Sequence, residues 1–307
     1  MSAELGRVLI TGANGHLGRR LLARLAGERP LRAVVRSERA ASQIAAVPEA
    51  AGAEVRVLDY GDVQALSDAA KDCSHAVHLV GILKETSNSS YQRAHEVTSR
   101  ALVEAAAAAG LRRIVYMSIL GSRPDAANAC LASKGRAEQI LLEATTPALV
   151  LRVPMVLGEG DYASRALRGR ALGATALLTR GGASLEQPIY AGDVVEALVA
   201  GVTAPDLDDL ALDLAGLESL PSRELVLRAA KLHGRTPRIV PVPRFIPRMA
   251  AALLETVSKD PPVTRAMLGV LDHDDAVDPG EATRRLGIEL TSLDETLRRC
   301  VGPEAPQ

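Results

Sequence analysis

The chain has 307 residues, 47% of them hydrophobic, which is enough to bury a sizeable core without crosslinks. Lysine and arginine total 36 against 37 aspartates and glutamates, so the formal charge of −1 offers no basic excess to neutralise a polyphosphate backbone, and nucleic acid is excluded as a main partner. The three cysteines, Cys73, Cys130 and Cys300, are scattered and without metal-like spacing, so they read as free thiols of a reducing compartment, with neither a disulfide nor a metal expected.

The opening Met1-Ser2-Ala3-Glu4 places an acid where a signal peptide needs basic and then apolar residues. No uninterrupted apolar run reaches the roughly 18 residues of a membrane-spanning helix, and the expectation is a cytoplasmic protein without a transmembrane segment.

Short β-branched runs then alternate with alanine-rich helical stretches, the pattern of a parallel sheet covered on both faces. Strands are predicted at Arg7 to Ile10, Leu31 to Val35, Glu54 to Leu58, Ala76 to Val80, Arg113 to Met117 and Ala148 to Leu151, with a long helix from about Tyr91 to Ala109 stopped by Gly110. With right-handed crossovers the fold class is α/β, a Rossmann doubly wound parallel sheet.

Between the first strand and the first helix stands Thr11-Gly12-Ala13-Asn14-Gly15-His16-Leu17-Gly18. Gly12 permits a tight turn, Gly15 lets the backbone approach a pyrophosphate, and Gly18 lets the helix pack on the sheet, so the anion meets free N–H groups at a helix start. The preceding apolar strand and the amphipathic stretch Leu17 to Leu25 supply the context this motif needs. At the end of the second strand, where NAD-binding folds place an acid against the ribose hydroxyl, the chain has Arg36, followed by Ser37 and Arg39. An arginine there suits a 2′-phosphate and favours NADPH over NADH, while a surface arginine that leaves both cofactors accepted is the alternative.

Beyond Pro154 the alternation fades. Residues 1–153 are expected to form the NAD(P)-binding domain and 154–307 a smaller substrate or partner region, with a segment at 186–204 returning to the first domain. In that segment Asp193 is placed to cap a helix from Val194 onward. Phe245 to Leu254 is the most apolar part of the second region. Core packing is its preferred reading, because the polar face lacks a dense basic stripe, with a cleft wall or a membrane surface as alternatives. Asp272-His273-Asp274-Asp275 is expected to be an exposed loop, and the histidines form no ligand set.

With these motifs in view, the chain resembles the extended and atypical short-chain dehydrogenase/reductases, whose glycine pattern is TGxxGxxG. The resemblance implies that Asp59, beside Tyr60, lies near the adenine amine, that Val80 and Gly81 pass beside the cofactor, that Ser118 is the active-site serine, and that Pro154 and Gly158 belong to the loop closing over the nicotinamide. Leu214 to Leu220, Glu224-Leu225 and Arg238 to Pro243 resemble the branch containing the nucleotide-binding accessory subunit of respiratory complex I.

Catalytic members of that superfamily carry Tyr-x-x-x-Lys. The lysine is matched by Lys134, but Cys130 occupies the tyrosine's position, one helical turn away. A small buried hydrophobe is the preferred reading of Cys130, and a nucleophilic thiolate formed beside the ammonium is the alternative. The family's structural asparagine is replaced by His95, read either as a proton relay or as a polar helix residue. Two functions follow. One is an NADPH-dependent oxidoreductase acting on a small apolar substrate, or an epimerase or dehydratase, with Lys134 as proton donor assisted by Ser118. The other is a non-catalytic NAD(P)-binding sensor or an accessory protein with a protein-complex partner.

Overall fold

The computed structural model describes residues 6–258, 260–261, 263–271 and 274–306. The opening residues and Asp272 and His273 of the acidic run lie outside them; Asp274 accepts from the Leu185 amide at 2.8 Å.

In the first half, strands β1 (Arg7–Thr11), β2 (Leu31–Val35), β3 (Glu54–Val57), β4 (Cys73–His78), β5 (Arg113–Ile119) and β6 (Ala148–Val153) alternate with helices α1 (His16–Leu25), α2 (Glu38–Ala45), α3 (Val63–Ala70), α4 (Thr98–Ala109) and α5 (Ala129–Leu142). The long helix expected from Tyr91 is wound as a π turn over Gln92–Val97 before it becomes α4, and Gly110 ends it in the left-handed region at φ 68°.

The second half contributes β7 (Val156–Leu157), α6 (Tyr162–Leu172), β8 (Thr175–Thr179), β9 (Leu185–Glu186), β10 (Ile189–Tyr190), α7 (Ala191–Thr203) and β11 (Leu210–Asp213). After these come β12 (Leu220–Pro221), α8 (Ser222–Lys231), β13 (Arg238–Val242), α9 (Phe245–Val257), α10 (Arg265–Leu271), α11 (Gly280–Leu286) and α12 (Leu293–Val301).

Seven strands form one parallel sheet in the order β11-β6-β5-β4-β1-β2-β3, the arrangement of a Rossmann fold. Alternation along β1 divides the core. Val8 and Ile10 meet Leu21, Leu22 and Leu25 of α1 and Val194 and Leu198 of α7, whereas Leu9 packs on the other face with Leu66, Leu102 and Leu141 of α3, α4 and α5. The order reverses between β1 and β4, so the ends of these two strands flank the switch-point crevice. A third cluster, with Leu157, Leu167, Leu178, Leu225 and Leu297, holds the smaller elements together.

Two sequence expectations are corrected. Asp193 does not cap α7; it lies in the first turn and accepts from the backbone N–H and the hydroxyl of Thr291, both at 2.8 Å, tying α7 to the segment before α12. The apolar segment from Phe245 is not core either. Only Ala251 of α9 is buried, while Phe245, Ile246, Met249, Leu253 and Val257 are exposed. Among the described residues no helix is long and apolar enough to cross a membrane.

Candidate nucleotide and active site

β1 ends at Thr11, whose hydroxyl shares a 2.6 Å hydrogen bond with His78 Nδ1 at the end of β4. The chain then turns at Gly12, with φ 70°, where a Cβ would stand 3.0 Å from the Leu79 carbonyl carbon. Gly18 is closed in further: its Cβ would meet Ala13 O at 2.5 Å. Gly15, by contrast, would bring a Cβ near Gly12 O alone, at 3.3 Å, so its open side is left for a ligand. Gly15 is the N-cap of α1 and offers no side-chain acceptor, which leaves the amides of His16, Leu17 and Gly18 to an anion. Burial lowers the His16 pKa, with Arg19 adding to the effect, so no histidinium is favoured there.

A cavity of about 590 Å³ opens over this turn. Gly12, Asn14 and Gly15 line one end, Arg36, Arg39, Asp59 and Tyr60 another, and Val80 and Gly81 its wall. Asn14 is held by its amide N–H to Gln43 of α2 at 3.0 Å. Arg36 and Arg39 enter no ion pair among the described residues, so their charge is available at the rim. Asp59 accepts from the Gly61 amide at 2.9 Å and from Arg93 at 2.7 Å, and these bonds, the amide first, hold its carboxyl below the usual range. The Tyr60 hydroxyl accepts from Gly12 N and donates to Val34 O, both at 3.1 Å, so it braces the turn. Its burial raises the phenol to about 12 and keeps it protonated. β4 stops at His78 and not at Val80; Leu79 to Ile82 leave the sheet and form the cavity wall.

Lys134 projects from α5 to the foot of that wall. Its Nζ donates to Met117 O at 2.9 Å, lies 4.5 Å from the Tyr116 ring centroid, and sits 3.0 Å from where a Gly81 Cβ would be. Burial lowers it from 10.5 to about 8.

His95 and Cys130 bracket the same loop. The π turn aims His95 inward, where Nε2 accepts from the Ile82 amide at 3.1 Å and Nδ1 bonds the Ser133 hydroxyl at 2.7 Å. Ser133 in turn donates to Cys130 O at 2.9 Å, so the tautomer is fixed with the proton on Nδ1. Burial first, and the Lys134 charge second, push His95 down to about 3, which makes it a neutral holder of the Ile82 backbone and not a relay that titrates near neutrality.

Of the two readings of Cys130, the structure agrees with the small buried hydrophobe and not with the thiolate. The side chain is fully buried, its S–H points at Ile82 O across 3.6 Å, and desolvation raises it to about 11 against the smaller pull of Lys134.

Ser118 and Pro154 are not brought to the cavity. The Ser118 hydroxyl makes a short bond to the buried Glu138 carboxylate of α5, which Arg152 closes from the other side at 2.7 Å. Pro154 lies between β6 and β7. Sequence reasoning missed Glu138, Arg152 and Arg93, because their pairings bridge separate elements and leave no local pattern. It also passed over Tyr91, whose hydroxyl donates to Leu83 O at 2.8 Å and whose ring stacks on His95 at 5.8 Å, a phenol close to the position where Cys130 replaces one.

The free helix-start amides, a Gly15 crowded on one side alone and the arginines without an ion pair fit a dinucleotide. Residues 12–173 match the family described as NAD(P)H-binding. The chain belongs to that family. Among its relatives is the ceramide reductase of Caulobacter vibrioides, 32% identical over 242 residues that cover 78% of this chain and 74% of that protein. Another is subunit 9 of the mouse mitochondrial NADH dehydrogenase [ubiquinone] 1 alpha subcomplex, 24% identical, with 78% of this chain aligned to 66% of the subunit. The resemblance to the complex I subunit is thus found again by direct comparison. A nucleoside-diphosphate-sugar epimerase from Staphylococcus aureus has the same fold, with a TM-score of 0.74 at 18% identity over 95% of this chain and 100% of that one.

Proposed function

We propose that this protein is an NADPH-dependent reductase of a carbonyl substrate bearing an apolar chain. The observation that carries the reading is Lys134, an ammonium buried at the foot of the nucleotide cavity and lowered to about 8. It is protonated at neutral pH, yet releases its proton more readily than an ordinary lysine at 10.5.

When bound, the reduced nicotinamide supplies the hydride for the carbonyl carbon. Lys134 gives the carbonyl oxygen its proton, so the product is an alcohol. Met117 O orients the ammonium, and His95 fixes the Ile82 backbone beside it. Gly12, Gly15 and the amides of His16 and Leu17 hold the pyrophosphate, and Arg36 with Arg39 selects the 2′-phosphate. Asp59 and Tyr60 border the adenosine end. Residues 1–153, joined by 186–204, serve the nucleotide, and the rest of 154–307 serves the substrate. The likeness to a ceramide reductase supports a lipid-like substrate. The three buried free cysteines support a reducing, cytoplasmic setting.

A second reading, a non-catalytic accessory protein, is favoured by the buried thiol at Cys130 where a catalytic phenol would stand, and by the likeness to a complex I subunit. The two separate in one assay. NADPH consumption is followed with aldehydes and ketones of increasing chain length, for the wild type, Cys130→Ala and Lys134→Met. A reductase consumes NADPH with Cys130→Ala nearly unimpaired and Lys134→Met inactive. Tight NADPH binding with no turnover on any carbonyl overturns the enzyme reading.

A further inference from the structure

The exposed face of α9 has a chemistry unlike the rest of the surface. Phe245, Met249, Leu253 and Val257 recur every fourth residue, and Ile246 lies beside them, so at 100° per residue the five occupy an arc of about 120°. Their exposures run from 47% for Ile246 to 73% for Val257. Phe245 is the only phenylalanine of the chain, which has no tryptophan. Ala251, on the opposite side, is the buried residue that seats the helix. A soluble surface rarely spends its bulkiest side chains on one continuous stripe.

Charge identifies what the stripe meets. The whole chain is close to neutral, yet residues 225–254 carry six cations, Arg228, Lys231, Arg235, Arg238, Arg244 and Arg248, and not one aspartate or glutamate. Arg228 is engaged by Glu218 and Glu224, and Glu255 of α9 by Arg265, whereas Arg235 before β13, Arg238 on it and Arg248 on α9 are exposed. Arg248 lies about 60° outside the apolar arc and lines the same surface cavity as Phe245 and Met249. A second copy of this chain docked face to face would set arginine against arginine. An anionic lipid surface takes both components, the acyl region receiving the stripe and the headgroups the arginines.

We propose that α9 is a membrane-surface helix that docks the protein, lying parallel to the bilayer, on anionic lipid. The helix is thirteen residues, about 20 Å, and too short to span. Its neighbour α10 and the residues before it reach toward the same cleft: Asn128, the cap of α5, donates to Ala266 O of α10 at 2.8 Å, Lys84 donates to Pro261 O at 2.9 Å, and the Ser87 amide donates to Asp260 at 2.7 Å. The docked face therefore adjoins the loop 82–90 and the start of α5, the end of the cleft that holds Cys130 and Lys134. The docking proposal does not rest on the reductase reading.

The test is flotation with vesicles of pure phosphatidylcholine and of phosphatidylcholine containing about a third phosphatidylglycerol, run at low and high salt. The wild type is expected to float with the anionic vesicles and to be released by salt, with little binding to the neutral ones. Phe245→Ser combined with Met249→Ser and Leu253→Ser should lower the bound fraction at least about tenfold, and Arg248→Glu should weaken the preference for anionic lipid. NADPH titration of each variant shows that it is folded, because none of these residues lines the nucleotide cavity. Equal flotation of wild type and triple variant overturns the proposal. So does a wild type that stays unbound, or one that forms a dimer in solution which the triple substitution abolishes.

Discussion

Replacing Lys134 by methionine should change stability in a way that reports its buried charge. The ammonium is lowered from 10.5 to about 8 by burial. The unfolded chain thus holds the proton more tightly, and between these values stability rises with pH. At 1.36 kcal/mol per unit, burying the charged form costs about 3 kcal/mol at neutral pH. Near pH 9.5, where the folded chain has released the proton and the unfolded one is losing it, the cost is about 1.4 kcal/mol. Lys134→Met removes this contribution while keeping most of the side-chain volume. Loss of the bond to Met117 O shifts the variant's absolute stability but not the slope. Urea unfolding of both proteins without nucleotide, at about pH 7 and pH 9.5, should therefore show the wild type gaining about 2 kcal/mol relative to Lys134→Met. A difference that stays constant with pH would refute the assignment of a depressed, buried ammonium.

Arg36→Asp should exchange the cofactor preference, weakening NADPH at least about tenfold relative to NADH, as read by fluorescence titration; unchanged relative affinities would place the discriminator elsewhere. The glycines of the turn should separate by mechanism. Gly18→Ala forces a Cβ to 2.5 Å from Ala13 O and should cost about 1–3 kcal/mol of stability in urea, whereas Gly15→Val should unfold near the wild-type midpoint and yet bind neither cofactor. His95, fully buried and held near 3, makes the fold acid-sensitive: as pH falls from 6.5 toward 3 the unfolded chain binds a proton that the folded one refuses, about 2 kcal/mol at pH 5. His95→Asn should remove that share of the pH dependence, and an unaltered profile would show that the ring is not buried in neutral form.

The nucleotide half is legible in the sequence because its signals are local. A buried parallel strand is a short β-branched run, and the turn at Gly12 needs a residue that accepts φ 70° within a few positions of that run. What failed was everything decided by distant partners. Asp193 looks like a cap until Thr291, far along the chain, takes both its oxygens. Cys130 beside Lys134 leaves an activated thiol open as an alternative in the sequence, and only the contact with the loop at Ile82 decides against it, because desolvation outweighs the ammonium. The apolar run from Phe245 looks like core because composition records hydrophobicity and not what covers it. Even its cations are spread over thirty residues, and only the fold shows which of them, Arg248 among them, lie beside Phe245 and Met249.

Three groups whose charged forms burial disfavours, Lys134, His95 and His78, lie near one another, around Gly81 and the ends of β4 and β5. Stability alone would fill such a site with apolar side chains of similar volume. The two histidines can be explained by the backbone and hydroxyls they hold: Ile82 and Ser133 for one, Thr11 for the other. Lys134 cannot be explained in that way. It has no carboxylate partner within ion-pair distance among the described residues, and holding the Met117 carbonyl does not by itself require a charged donor. Its Nζ instead ends 3.0 Å from the position that Gly81, by lacking a side chain, keeps open toward the nucleotide cavity. A charge held at a cost beside a glycine that lines the cavity is what the proposed proton donor requires.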